Sequence, residues 1–182
     1  MEGLDESLVA AHLQGDPAAF RELVRRYGDG VLGYLFRMTG NRDQAEDLFQ
    51  ETFKRVHEKA RTFRGGSFKS WLFTIATRIA IDRLRRNKRQ PAFQSLESDD
   101  PLDAGGRNPA EEAAQQELRA TVQATVELLP PKQRAALVLA YYQGHTYPEI
   151  AAIMGCSLST VKTHMSRALK TLAGKLPRGG SL

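Results

Sequence analysis

The stretch Thr146 to Leu172, TYPEIAAIMGCSLSTVKTHMSRALKTL, leaves a folding chain few choices. Thr146 and Glu149 stand at capping-box spacing, so hydroxyl and carboxylate can satisfy the first amides of a helix. Ile150, Ile153 and Met154 follow as an apolar stripe at helical spacing. Gly155 supplies a left-handed stop, and Ser157 is a good N-cap for a second helix. In that helix Leu158, Val161, Met165, Leu169 and Leu172 recur every three or four residues. Ser159, Thr160, Lys162, Thr163, Ser166, Arg167 and Lys170 are left on the outer face. Short hydroxyls beside long cations can hydrogen-bond base edges and phosphates together. The pattern predicts a helix-turn-helix whose second helix reads DNA.

Cysteine and membrane signals narrow the class further. Cys156 is the sole cysteine, so an internal disulfide is excluded, and in the turn before the reading helix it reads as a packing residue. His12, His57, His145 and His164 have no metal-ligand spacing with it, so no metal or cofactor is expected. No apolar run reaches membrane-spanning length, and MEGLDESLVAAHLQG is acidic and amphipathic, unlike a secretory signal. These features point to a cytoplasmic protein without direct membrane insertion.

The net charge of +5 matters less than its distribution. From Pro130 to the end, seven Lys or Arg face one acid, Glu149; RLRRNKR at 83–89 holds five cations in seven residues. Between them, Glu97 to Glu112 carries six acids against one Arg, with Pro101, Gly105, Gly106 and Pro109 interspersed. Such a segment cannot bury enough apolar surface to fold and is expected to be a flexible linker. The expected architecture is all-α: two small helical domains joined by that linker, the C-terminal one a helix-turn-helix.

The first module reads as successive helices. Asp16 and Pro17 open one, with Phe20, Leu23, Val24 and Tyr27 on its apolar face and Gly28 ending it. A second runs through Val31, Leu32, Tyr34, Leu35 and Met38 to Gly40. Asn41 caps a third, whose core face is Ala45, Leu48, Phe49, Phe53 and Val56. Its other face carries Asp43, Asp47, Gln50, Glu51 and Lys54, with Glu46 near the edge. Early acids complement the helix dipole; Gln50 and Glu51 lie beyond its reach, and a docking surface for a basic helix is the second reading. Next come Arg61, Phe63, Arg64, Gly65, Gly66, Ser67 and Lys69, a turn of glycines, an aromatic and cations suited to single-stranded bases. Ser67 caps the following helix, whose stripe is Phe68, Trp71, Leu72, Ile75 and Ile79; Phe63 is free to pack or to stack. P-loop and dinucleotide spacings are absent.

The order AEDLFQETFKRV, TFRGGSFKSWLFTIA, AIDRLRR, a linker, then LLPPKQRAALVLAYYQGHTYPEIAAIMGCSLSTVKTHMSRALKTL resembles an extracytoplasmic-function sigma factor of the bacterial sigma-70 superfamily. The resemblance covers about Asp16 to Leu176. It implies a non-catalytic specificity subunit that binds core RNA polymerase and directs initiation at promoters through their −10 and −35 elements. It also implies a sigma-2-like domain over 1–88, a linker over 89–110 threaded through the polymerase cleft, and a sigma-4-like domain over 111–178. Asp47, Gln50 and Glu51 match positions that grip the coiled coil of the polymerase's largest subunit. Phe63, Arg64, Ser67, Lys69, Arg78, Arg85 and Arg86 fall in the part that reads and melts the −10 element, where a base is flipped from the stack. Lys162, Thr163, Ser166 and Arg167 match −35 readers, with Ser159 and Thr160 near phosphates. Further implied partners are the flap region of the second-largest subunit and an anti-sigma factor, often membrane-bound and released by stress. Three residues depart from the pattern: Arg78 for a usual Asn, His164 for a common Arg, and Leu169 for a frequent cation. Fewer cations mean fewer phosphate contacts.

Two other classes fit less of the chain. A LuxR-type response regulator shares the reading helix but needs an α/β receiver or ligand-binding domain in front. A small nucleic-acid hydrolase needs clustered carboxylates or a Cys/His pair that this sequence lacks.

Overall fold

The computed structural model describes residues 2–89 and 120–175. The helices are α1 (Glu2–Leu13), α2 (Pro17–Thr39), α3 (Arg42–Lys59), α4 (Phe68–Arg89), α5 (described over 120–127), α6 (Pro131–Tyr141), α7 (Tyr147–Met154) and α8 (Leu158–Lys175), with a 3-10 turn at Ala60–Thr62. Among the described residues there is no strand, in agreement with the all-α expectation. The acidic stretch from Glu97 to Glu112 and the tail after Lys175 lie outside the described residues.

Local chemistry sets the helix ends. Asp16 Oδ1 accepts the Ala18 N–H at 2.8 Å and Pro17 fixes the first turn of α2. Gly40, at φ 68° and ψ 10°, closes α2. Asn41 Oδ1 accepts the Gln44 N–H at 2.8 Å and starts α3. The expected break at Gly28 does not occur: α2 runs unbroken from Pro17 to Thr39. Gly28 is buried, and a Cβ there would sit 3.7 Å from the Phe49 ring. That is ordinary van der Waals contact, so the glycine carries a helix-propensity cost of about 1 kcal/mol inside α2 without ending the helix.

The apolar stripes of α2, α3 and α4 meet over Tyr34, Leu35, Met38, Leu48, Phe68, Leu72 and Phe73, all buried. Full burial of such a side chain contributes about 1.5–3 kcal/mol. The Tyr34 hydroxyl bonds Thr77 Oγ1 at 2.9 Å inside this core, so the polar atom is not orphaned. In the C-terminal half, Leu129, Leu139, Ile150, Ile153, Val161 and Met165 are buried together. The buried stripe of α8 is Val161, Met165 and Ala168, with Leu172 partly covered; Leu158 and Leu169, expected on it, are 41% and 40% exposed. Steps of four, three and four keep one face, and Leu169 lies about 100° round the helix from Ala168.

The two halves share one core. Helix α4 packs against α7 and α6, and α2 against α6. The sequence shows two helical regions; their mutual packing is not legible in it.

Candidate nucleic-acid interface

The C-terminal reading surface is built from the capping box upward. Glu149 Oε2 accepts the Thr146 N–H at 2.7 Å and the Thr146 hydroxyl accepts the Glu149 N–H at 3.4 Å. The Thr146 N–H, and then the Thr146 hydroxyl donating to Glu149 Oε2 at 2.8 Å, hold the Glu149 carboxyl below its ordinary pKa. Gly155, at φ 61°, turns the chain, and Ser157 Oγ accepts the Thr160 N–H at 3.1 Å to open α8. Ser159, Lys162, Thr163, Ser166 and Arg167 are exposed on α8, and Thr160 is partly so. The Ser157 hydroxyl lies 2.8 Å from those of Ser159 and of Thr160, and the Thr163 hydroxyl donates to the Ser159 carbonyl at 3.0 Å. The six sequence-predicted −35 residues therefore lie together on the outward part of one helix. His164, partly buried, has its pKa lowered by that burial, then by Lys132 and Arg167, which favours the uncharged ring.

The second surface is less unified. Gly65 and Gly66 have φ of +90° and +80°, conformations that favour glycine, and they shape the loop after the 3-10 turn. Phe63 packs rather than splays: its ring centroid lies 5.7 Å from Phe68 and 5.5 Å from Trp71. Ser67 is a cap, its Oγ accepting the Ser70 N–H at 3.2 Å. Arg64, Arg78, Arg85 and Arg86 are exposed. At about 100° per residue, Arg78 and Arg85 lie on the side of α4 opposite Lys69. Lys69 instead donates to the Gln143 carbonyl at 2.7 Å, in the α6–α7 connection. The structure thus groups Phe63, Arg64 and Ser67 at the start of α4 and places Arg78 and Arg85 on its far side, with Arg86 about 100° round the helix from Lys69; Lys69, near the loop, is turned to Gln143.

Asp47 and Gln50 are exposed on α3, and Glu51 beside them accepts from Arg55 at 2.6 Å. Glu51, Arg55, Ile79, Asp82, Arg83 and Arg86 line a groove between α3 and α4, which brings Glu51, alone of the three docking candidates, to the edge of the α4 arginines.

Sequence reasoning missed the seam between the halves. Arg134, counted among the C-terminal cations, is buried; its guanidinium donates to the carbonyls of Met38 and Glu127. Burial lowers its pKa to about 10. The Gln143 side chain donates to the Gly30 carbonyl at 3.1 Å, Arg37 stacks 4.2 Å over the Tyr142 ring, and Phe73 meets His145 edge-on at 5.2 Å. No periodicity signals these contacts, because all but the Arg134–Glu127 bond join residues far apart in sequence.

Two family models decide what this arrangement is. Residues 23–90 match sigma-70 region 2, and residues 119–172 match sigma-70 region 4. The chain belongs to the extracytoplasmic-function sigma factors. It is 37% identical over 92% of its length to the sigma factor SigE of Mycolicibacterium smegmatis, spanning 66% of that protein. It is 31% identical to the RNA polymerase sigma-H factor of Pseudomonas aeruginosa, over 92% of this chain and 91% of that one. Among solved structures, the sigma factor RpoE of Bartonella quintana, in complex with the anti-sigma factor NepR, superposes with a TM-score of 0.70 at 25% identity, covering 88% of this chain and 98% of that one. As a sigma factor, the chain directs promoter-specific initiation of transcription by RNA polymerase, its region 2 serving −10 recognition and its region 4 −35 recognition.

Proposed function

We infer that this sigma factor docks on core polymerase through Asp47, Gln50 and Glu51 of α3, reads the −35 element with the outer face of α8, and reads the −10 element with the 63–67 loop and the arginines of α4. The observation that carries this reading is the gathering of Ser159, Thr160, Lys162, Thr163, Ser166 and Arg167 on one outward part of a capped second helix, the geometry that enters a major groove. The acidic face of α3 supports docking on a basic helix by charge complementarity. In this reading residues 1–88 form the polymerase-binding and −10 domain, 89–110 the linker through the cleft, and 111–178 the −35 domain with its contact to the flap region.

Elements named for positions about 25 base pairs apart lie about 85 Å apart along B-form DNA at 3.4 Å per pair. A 23-residue helix such as α2 spans only about 35 Å. Reading both elements therefore requires the seam between α4 and α6–α7 to part, which also frees Lys69 from Gln143. A partner that holds the seam closed would act as an anti-sigma factor, and the likeness to the NepR-bound relative supports such a partner. Among the described residues no helix is long and apolar enough to cross a membrane, which fits a cytoplasmic site of action without direct insertion. The chain carries no catalytic role in this scheme.

The test is transcription in vitro with core polymerase on genomic DNA, with start sites mapped. Starts sharing upstream sequence at two fixed distances support the reading. Tight, specific binding of a palindrome by the free protein as a dimer would overturn it.

A further inference from the structure

One contact on the 63–67 loop comes from sixty residues away. The Gly66 N–H donates to Glu6 Oε1 at 2.7 Å, and a Cβ on Gly65 would come within 3.0 Å of the same oxygen. Glu6 sits on α1, and its neighbour Asp5 fixes that helix in place. The Asp5 carboxylate is buried, accepting from Arg26 at 3.2 Å and from the Tyr27 hydroxyl. Val9, one turn on, is buried in the common core. Consecutive acids thus divide the work: Asp5 pins α1 to α2, and Glu6 reaches over the glycines.

Glu6 and Gly66 are both exposed, so water could satisfy either group and burial does not explain the bond. Its consequence is conformational. Two successive glycines at positive φ give the loop an unusually free backbone, and a loop that must accept bases works best when already ordered. Fixing the Gly66 amide from a clamped helix removes that freedom while leaving Arg64 exposed beside it.

We propose that Glu6 is a positioning residue for −10 recognition, its carboxylate holding the Gly65–Gly66 backbone in the form that receives the displaced strand. The proposal rests on the reading of 63–67 as the −10 loop. It is tested in holoenzyme on a mapped promoter, on derivatives with single −10 base changes, and on one with a scrambled −35 element. Glu6→Ala should reduce discrimination between native and altered −10 sequences by roughly fivefold, the worth of one net hydrogen bond. Glu6→Gln keeps a carbonyl acceptor and should retain discrimination, and −35 discrimination should not move in either variant. Hydrogen exchange at the Gly66 amide should quicken in Glu6→Ala. Unchanged −10 discrimination in Glu6→Ala, while Arg64→Ala loses it, would overturn the positioning role alone. No loss in either variant would overturn the loop reading as well. Higher activity in both Glu6 variants would also overturn it, showing that the carboxylate obstructs the strand.

Discussion

The two proposed reading surfaces are built on opposite plans. On α8, six side chains stand on one capped helix, and every bond that shapes the helix start comes from within a few residues. The 63–67 loop and α4 instead depend on distant parts of the chain: Glu6 holds Gly66 and Gln143 engages Lys69. A surface that meets an intact groove can be rigid and local. One that receives bases taken out of a stack needs a recess, and a recess takes several elements to build. On the proposed reading the N-terminal half also carries the α3 docking face beside its −10 surface, so its parts are shared between partners.

The largest expected effect separates docking from reading. Asp47→Lys with Glu51→Lys places like charges against a basic partner, at a cost of several kcal/mol, so polymerase binding should fall by more than about a hundredfold. Weak duplex binding through α8 should be unchanged. A pull-down against core enzyme with undiminished capture would remove the docking face.

Acid should act on the seam that joins the two plans. His145 is buried beside Phe73; burial, then Lys69, lowers its pKa to about 4 despite Glu149 at 3.9 Å. Its folded pKa lies below the unfolded value of about 6.5. The stability of the neutral, buried form is thus complete above that pH and lost as pH falls from about 6.5 toward 4. The loss is on the order of 3 kcal/mol at 1.36 kcal/mol per unit. Burial lowers His12 and His164 in the same direction. Thermal melting should therefore decline across this range, and His145→Leu should flatten most of the decline. An identical slope in wild type and variant would place the acid sensitivity elsewhere.

Legibility followed the same division. The capping box at Thr146, the stop at Gly155 and the cap at Ser157 stood in the sequence because each is a bond between near neighbours. So did the caps at Asp16 and Asn41. Gly28 misled, since a glycine buried within a long helix looks the same in sequence as one that ends a helix. Arg134 misled similarly: a cation in a basic stretch reads as solvated, and only the fold brings the Met38 carbonyl to it. Lys69 was assigned to DNA by position, and its bond to Gln143 depends on packing that no local pattern encodes.

The next effect tests the local plan directly. Arg167 is exposed on the reading face, and Arg167→Ala should cost about 1–3 kcal/mol at promoters with a native −35 element. Because the −10 surface is separate, open-complex formation on a template already melted at −10 should not change. Equal loss on native and scrambled −35 sequences, read by quantitative transcription, would mean that Arg167 contributes only general affinity.

The smallest effect sharpens how self-contained α8's support is. Thr146→Ala removes the hydroxyl that accepts the Glu149 N–H and donates to Glu149 Oε2 at 2.8 Å. A lost N-cap of this kind costs about 1 kcal/mol, and Thr146→Ser should recover most of it. If the helix-turn-helix stands on its own bonds, hydrogen exchange should quicken across α7 and the start of α8 while α1 to α3 stay protected. If the shared core couples the halves strongly, protection should fall throughout, because α7 packs on α4. The first pattern would keep the contrast between a local reader and a composite one; the second would make both readers properties of a single cooperative body.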